Sequence, residues 1–143
     1  SYDHKNFNKL TNAEIAADVQ KTAAAFRKVL GRDPAIFRPP YGNCKDSVKK
    51  QLPMSIYLWS IDTLDWKSRD AKAIVDVVKS AGNLDGKVIL MHGIYGSTAE
   101  ATATLVPYLQ KQGYELVTVS ELVEAKQGET PQKGKIYGYS YFK

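Results

Sequence analysis

The sequence predicts an α/β fold with mainly parallel strands. Short apolar segments of strand length alternate with segments whose apolar residues recur at helical spacing, and three of the apolar segments are each followed by a polar cluster. Strands joined by helices of ten or more residues form right-handed crossovers, which leave neighbouring strands parallel. The chain has 143 residues, of which 43% are hydrophobic, so it is long enough for one domain with a buried core.

The first element is a helix predicted over residues 12–30. Thr11 followed by Glu14 is the capping-box pattern of a helix start, and Gly31 supplies a stop at the other end. Between these signals, apolar residues recur at helical spacing at Ile15, Val19, Phe26 and Leu30.

Two strands and a brief helix are predicted next. Residues 35–37 form a short apolar strand that enters a Pro-Pro turn. The brief helix begins at Asn43 or Lys45 and extends to Gln51. Residues 54–61 are a near-continuous apolar run rich in aromatic and β-branched side chains, which is typical of a strand buried on both faces.

A second helix and a third strand follow. Asp70 is placed to cap a helix that ends near Gly82, with apolar residues at Ile74, Val75, Val77 and Val78. The apolar residues 87–91 are then a further buried strand. Strand, helix and strand in this order are one parallel crossover unit.

The last regular elements are a helix, a strand and a short helix. Residues 98–112 predict a helix that Pro107 interrupts and bends, because proline removes one backbone donor. Residues 115–119 predict a fourth strand, and Ser120 with Glu121 opens the short helix.

The segment 127–143 is rich in Gly, Lys, Tyr and Gln without any period, so it predicts an irregular or partly ordered tail. We therefore divide the chain into one domain over residues 1–126 and a tail over residues 127–143.

Composition excludes several classes of protein. Lys and Arg number 20 against 15 Asp and Glu, a net charge of +5, but no basic block or aromatic-interleaved basic stripe occurs, so we do not expect a nucleic-acid partner. The single Cys44 excludes an internal disulfide, and no Cys/His spacing typical of a structural zinc is present. No apolar run approaches the roughly 20 residues needed to span a bilayer, so this piece predicts no transmembrane segment.

Two polar clusters follow predicted strands. His92 ends the strand 87–91, at the sheet edge where α/β proteins place ligands, and Asp65-Trp66 follows the preceding strand. At a shared edge the Asp65 carboxylate is placed to accept from the His92 ring, which would fix the tautomer of a general acid. The alternative interpretation is a structural histidine, an Asp in a turn and an exposed Trp.

The third cluster is Arg38-Pro39-Pro40-Tyr41-Gly42, in which two prolines stiffen the backbone. A guanidinium at Arg38 suits bidentate pairing with a carboxylate, and the Tyr41 N–H suits a developing oxyanion. The alternative interpretations are a plain turn or a proline-rich docking patch.

These clusters, in this order, resemble motifs of the polysaccharide deacetylases of carbohydrate esterase family four, also called the NodB homology domain. RPPYG resembles the third motif of that family, DTLDW the fourth and LMH the fifth. The opening SYDH resembles the end of the second motif, in which two metal-binding His lie four apart. The resemblance extends from His4 to Glu124 and implies the carboxy-terminal part of a distorted (β/α) barrel with mainly parallel strands.

The resemblance also implies a chemistry. The family holds a divalent metal, usually zinc, with one Asp and two His, and a separate Asp is the general base. By position, His4 is a metal ligand, His92 is the general acid and Asp65 orients it. Arg38 pairs with the catalytic Asp, and the Tyr41 backbone N–H stabilises the oxyanion.

The resemblance implies a substrate-binding set as well. Trp66 and Leu90 wall the site that receives the acetyl methyl, and Pro40 and Tyr41 belong to the same surface. Tyr41, Trp66 and Tyr95 also offer flat faces for sugar stacking.

The first motif of the family, Thr-Phe-Asp-Asp, has no counterpart in these 143 residues. That motif supplies both the general base and the Asp metal ligand, so we expect this chain to be inactive alone. We expect an amino-terminal segment of the same domain, present as an associated chain, to supply the missing ligands.

The expected function is therefore removal of N-acetyl groups from GlcNAc in a cell-wall polysaccharide, peptidoglycan first, at the surface or outside of a bacterium. Chitin and acetyl-xylan are alternative substrates, because the same attack by water serves amides and esters. A non-catalytic carbohydrate-binding remnant, and an α/β domain that docks a protein through its Pro-Pro-Tyr loop, are alternatives from other classes.

Overall fold

The computed structural model describes residues 1–43, 45–49 and 52–138. Cys44 and the end of the predicted tail, residues 139–143, lie outside the described residues. The described chain forms two compact units, one made of Ser1–Leu58 with Glu129–Gly138 and the other of Trp59–Gly128. No helix in the described part is both long and apolar enough to cross a membrane.

The described residues of the first unit form three strands, two helices and two 3₁₀ turns. Its helices are α1 (Asn12–Leu30) and α2 (Asp46–Lys49), its strands are β1 (Ile36–Phe37), β2 (Ser55–Tyr57) and β5 (Ile136–Tyr137), and its 3₁₀ turns are Phe7–Lys9 and Pro40–Gly42.

Helix α1 confirms the prediction for residues 12–30. The Thr11 hydroxyl accepts from the Glu14 N–H at 3.3 Å, and the Glu14 carboxylate accepts from the Thr11 N–H at 2.8 Å. These reciprocal bonds satisfy donors that a helix start leaves open. The helix ends at Gly31, which adopts a φ of 69°.

The strands of the first unit form one parallel sheet in the order β1-β2-β5. Ile36 pairs with Ser55, and Ile56 pairs with Ile136. Strand β2 is buried along its whole length, as its apolar sequence predicts.

The predicted tail was expected to be irregular, but within it Ile136–Tyr137 forms β5. Its two residues lacked a sequence signal because a two-residue strand has no period to detect.

The second unit contains two strands and four helices. In chain order these are β3 (Ile61–Asp62), α3 (Asp65–Ser68), α4 (Ala71–Ser80), β4 (Ile89–Leu90), α5 (Gly96–Lys111) and α6 (Val119–Gln127). Strands β3 and β4 are parallel, with Ile61 opposite Ile89 and Asp62 opposite Leu90. Asp70 caps α4 by accepting from the Ala73 N–H at 2.7 Å, as predicted.

Two strand predictions were wrong. The run 54–61 is not one strand, because its backbone partners change: the Leu58 N–H donates to the Tyr137 carbonyl, whereas the Ile61 N–H donates to the Val88 carbonyl. Residues 115–119 form no strand and pair with no strand among the described residues. Thr118 instead caps α6 in a second capping box with Glu121.

Helices α4 and α5 pack together to form the core of the second unit. The buried side chains of this core are those of Ile74, Val75, Val78, Leu84, Ala101, Leu105 and Leu109. Helix α5 runs through Pro107 as a single element, so the predicted interruption is absent.

Candidate active site

His4 lies at the start of the first unit, in a segment held by a buried carboxylate. Asp18 of α1, which is 8% exposed, accepts from the backbone N–H of Tyr2 at 3.0 Å and of Asp3 at 3.2 Å. The exposed His4 ring contacts Tyr41 edge to face, with the ring centroids 5.1 Å apart. The structure therefore brings together the predicted metal ligand and a residue of the Pro-Pro-Tyr cluster.

The Pro-Pro-Tyr cluster fixes its backbone and leaves its polar groups accessible. Pro39 and Pro40 are buried, and the turn that follows gives Tyr41 a φ of 59° and an exposed side chain. Arg38 is exposed and forms no ion pair within the described residues, and the Tyr41 N–H likewise has no acceptor there. Both groups are thus available to a ligand or to another polypeptide.

In the second unit, Asp65 and His92 form the contact that the sequence predicts. The Asp65 side chain is fully buried at the start of α3, after β3, and His92 follows β4. Because these parallel strands end at the same edge, the His92 Nδ1 lies 2.8 Å from the Asp65 Oδ1. The His92 side chain keeps 27% of its surface exposed.

Four donors surround the Asp65 carboxylate. Oδ1 accepts from the Trp66 N–H at 2.8 Å and from His92 Nδ1, while Oδ2 accepts from the His92 N–H at 2.6 Å and from the Thr98 hydroxyl at 2.8 Å. Burial alone would raise the pKa of Asp65, but the hydrogen bonds from His92 and Thr98 outweigh it and hold the pKa below its usual value. Asp65 is therefore ionised, and the Nδ1 of His92 donates to it.

The predicted substrate-binding residues of the second unit lie beside this pair. The Trp66 side chain is 47% exposed, whereas Leu90 is buried and its carbonyl accepts from the Thr63 hydroxyl at 2.7 Å. The Arg69 guanidinium lies 3.7 Å from the centroid of the Tyr95 ring. One face of Tyr95 is thus covered by Arg69, and the stacking role of Tyr95 stays a prediction.

Backbone strain is concentrated at the predicted motifs. Among the described residues other than glycine, those with positive φ are His4, Tyr41, Leu64 and Arg69, with φ between 52° and 59°. The first three lie within the SYDH, RPPYG and DTLDW clusters, and Arg69 lies three residues after Trp66, the last residue of DTLDW. Such conformations cost about 1–3 kcal/mol each and persist where the surroundings enforce them, typically at functional sites.

The described residues do not make up a metal site by themselves. Within 1–43, 45–49 and 52–138, no group of three or more His, Cys, Asp or Glu is placed to hold a metal ion. A catalytic zinc generally takes three protein ligands. His4 alone does not meet that requirement, so a catalytic zinc bound by His4 would need further ligands from outside the described residues.

Comparison with known proteins decides the family. The family model described as polysaccharide deacetylase matches residues 1–55. The peptidoglycan-N-acetylmuramic acid deacetylase PdaC of Bacillus subtilis (strain 168) is 40% identical over 127 residues, which are 88% of this chain and 27% of PdaC. The peptidoglycan-N-acetylglucosamine deacetylase PgdA of Listeria monocytogenes is 39% identical over 137 residues, which are 96% of this chain and 28% of PgdA.

A solved structure of the T48 deacetylase with substrate is 38% identical and superposes with a TM-score of 0.86, covering 94% of this chain and 66% of that one. The chain belongs to the polysaccharide deacetylase family. This likeness confirms the predicted fold class, which in the polysaccharide deacetylase family is a distorted (β/α) barrel. The chain spans just over a quarter of the length of PdaC and PgdA.

Sequence reasoning missed two polar residues that contact the predicted site residues or their segments. Asp18 lies within a predicted helix, and Thr98 lies at the start of another. A single polar residue at such a position is common in any helix, so neither residue gave a signal of its own. Only the structure shows that Asp18 holds the His4 segment and that Thr98 contacts Asp65.

Proposed function

We propose that this chain forms part of a hydrolase that removes N-acetyl groups from GlcNAc residues of peptidoglycan, outside the cell at a bacterial wall. The observation that carries the proposal is the contact between the buried, ionised Asp65 and the partly exposed ring of His92. Such a pair supplies a histidine that is held in one orientation and remains accessible to a substrate. The net charge of +5 favours an anionic wall polymer.

In this proposal His92 is the general acid. The proton on Nδ1 stays on that nitrogen, hydrogen-bonded to the Asp65 carboxylate. The proton that moves is therefore the one on Nε2, which is delivered to the leaving nitrogen when the C–N bond breaks. The overall reaction consumes one water and releases acetate and a free amine. The Asp65 carboxylate stabilises the charged imidazolium before that transfer.

The residues of the first unit take the remaining roles. We assign His4 to a divalent metal, zinc first, because members of this family are metal-dependent. Such a metal would polarise the acetyl carbonyl and lower the pKa of its bound water. Its other ligands, and the carboxylate that pairs with Arg38, are proposed to come from an amino-terminal segment of the same domain, outside these 143 residues.

Substrate contacts are proposed at both clusters. The free N–H of Tyr41 is suited to the oxyanion, with Pro40 buried beneath it as a rigid support. Trp66 offers an exposed indole for sugar contact, and Leu90 lines the acetyl-binding side.

The test is a complementation assay. The chain is co-expressed with the amino-terminal part of the catalytic domain of a related deacetylase, and release of acetate and of free amine from peptidoglycan is measured. His92→Ala should lower the rate about 10²–10⁴-fold, the usual contribution of a general acid. The exposed Glu115→Ala is the matched control and should keep full activity.

The products separate the alternatives. Undiminished activity in His92→Ala would reject the acid role. Acetate released from an ester substrate without a new amine would indicate a xylan deacetylase instead. Sugar binding without any hydrolysis in the complemented protein would favour a carbohydrate-binding remnant.

A further inference from the structure

The Asp65 carboxylate accepts hydrogen bonds from the candidate site on one side and from helix α5 on the other. Ionised carboxylates offer about four lone-pair sites, and four donors occupy them here. Three of these donors belong to Trp66 and His92, which lie on the two segments that carry the candidate site. The fourth, the Thr98 hydroxyl, belongs to α5.

Helix α5 gives Thr98 a fixed position. Thr98 is 3% exposed and shares the buried face of the helix with Ala101, Leu105 and Leu109, which pack into the core of the second unit. Its β-branched side chain has few rotamers in a helix, so its hydroxyl is held in place by packing.

We propose that Thr98 is a positioning residue: its hydroxyl fixes the orientation of the Asp65 carboxylate and thereby keeps the Nδ1–H tautomer of His92. This inference rests on the proposed function, in which His92 takes up and delivers its mobile proton at Nε2 while Nδ1 keeps its own proton. If the carboxylate rotated away, the neutral imidazole would also populate the Nε2–H tautomer, with the Nδ1 lone pair facing Asp65.

The test reads the tautomer directly by NMR. The chain has only two His, so long-range ¹H–¹⁵N correlation spectra of the ¹⁵N-labelled 143-residue protein give two imidazole patterns. At about pH 9, where imidazoles are neutral, one tautomer gives two widely separated ring-nitrogen shifts. Thr98→Val removes the hydroxyl but nearly keeps the shape of the side chain. The two His92 nitrogen shifts should then move towards each other, because the Nε2–H tautomer becomes populated as well.

Matched variants isolate the hydroxyl. Thr104→Val removes the bond from the exposed Thr104 hydroxyl to the Glu100 carbonyl of the same helix, and should leave the His92 pattern unchanged. Thr98→Ser should also keep it. If Thr98→Val does not fold, Thr98→Ala is compared with Thr98→Ser, since both lose the methyl and only serine keeps the donor.

Two results would overturn the proposal: a wild-type His92 pattern in folded Thr98→Val, or identical patterns in Thr98→Ala and Thr98→Ser. The exposed His4 is the internal reference, and its pattern should not change in any variant. The spectra need no turnover. If they show the tautomer change while the complemented wild-type protein shows no deacetylation, the proposed function is rejected and the role of Thr98 is supported.

Discussion

A carboxylate without solvent contact is stable only when its hydrogen bonds replace the water it has lost. Asp65 meets this condition with four donors at 2.6–2.8 Å. Each donor is itself removed from bulk water to some degree, so the loss of the carboxylate charge would also leave donors poorly paired. Asp65 is therefore a structural residue of the second unit as well as a candidate for orienting His92.

We expect Asp65→Asn to lower the free energy of unfolding by about 2 kcal/mol. The asparagine keeps one oxygen as an acceptor, but its NH₂ group replaces the other carboxylate oxygen and would face N–H or O–H donors without an acceptor. Denaturant unfolding followed by circular dichroism measures the change. The control is Asp85→Asn, which breaks an exposed ion pair with Lys126 and should cost less than about 1 kcal/mol. Equal losses in the two variants would contradict the assigned burial of Asp65.

The pH dependence of this loss follows from the lowered pKa of Asp65. A carboxyl with a pKa below its unfolded value of about 3.9 stabilises the folded state fully above that value. This contribution is lost as the pH falls through the lower pKa of the folded protein. The gap in unfolding free energy between wild type and Asp65→Asn should thus narrow as the pH falls below about 4. A gap that widens below about pH 4 would show that burial dominates the pKa of Asp65 instead.

At the level of residues, the sequence predicted the contact between Asp65 and His92 but not the contact of Thr98 with Asp65. The Asp65 and His92 pairing was predictable because both residues follow strands that run in parallel and end at one edge. The contact of Thr98 with Asp65 depends on which face of α5 is turned towards the core, and this orientation is decided by the packing of the buried side chains of α5. The coverage of Tyr95 by Arg69 depends on side-chain placement in the same way.

At the level of elements, the capping signals of α1 and α4 were reliable, whereas two of the four strand signals, 54–61 and 115–119, were not. The capping box of α1 and the Asp70 cap of α4 appear where the sequence places them, because each is a local pattern of hydrogen bonds. A strand needs a partner that lies far away in the chain, and residues 115–119 have none among the described residues. Strand β5 is the opposite case, since pairing with β2 organises a segment without any pattern of its own.

The approach to β5 depends on Gly134, and its substitution tests that pairing. Gly134 has a φ of 71°, its N–H donates to the Met54 carbonyl at 2.9 Å, and a Cβ at this position would lie 3.0 Å from the Lys49 carbonyl oxygen. Gly134→Ala should therefore lower the free energy of unfolding by at least about 2 kcal/mol, since the positive φ alone costs about 1–2 kcal/mol.

Gly128→Ala is the matched control, measured in the same unfolding assay. Gly128 has a similar φ of 65°, but a Cβ there meets nothing within 4 Å. It should show only the conformational cost, so the difference between the two variants reports the contact with Lys49. If both variants lose the same stability, the close approach that leads into β5 is not present in solution.

At the scale of the whole molecule, the candidate residues are divided between the two units. His4, Arg38 and Tyr41 belong to the first, and Asp65, Trp66 and His92 to the second. The proposed reaction assigns roles to residues of each unit. It also needs the two carboxylates of the Thr-Phe-Asp-Asp motif, which has no counterpart in these 143 residues. The metal content of the protein is thus the most direct measure of whether a further segment completes the site.

We expect the 143-residue chain alone to retain no stoichiometric zinc after gel filtration, because one imidazole is too weak a site. Co-purified with the amino-terminal segment of a related deacetylase, it should retain about one equivalent of zinc, which His4→Ala removes. His92→Ala should leave the metal content unchanged, since the acid is not assigned as a ligand, and so serves as the matched histidine control. Stoichiometric zinc on the chain alone would mean that its ligands lie within these residues, and a complemented protein whose zinc content is insensitive to His4→Ala would remove His4 from the metal site.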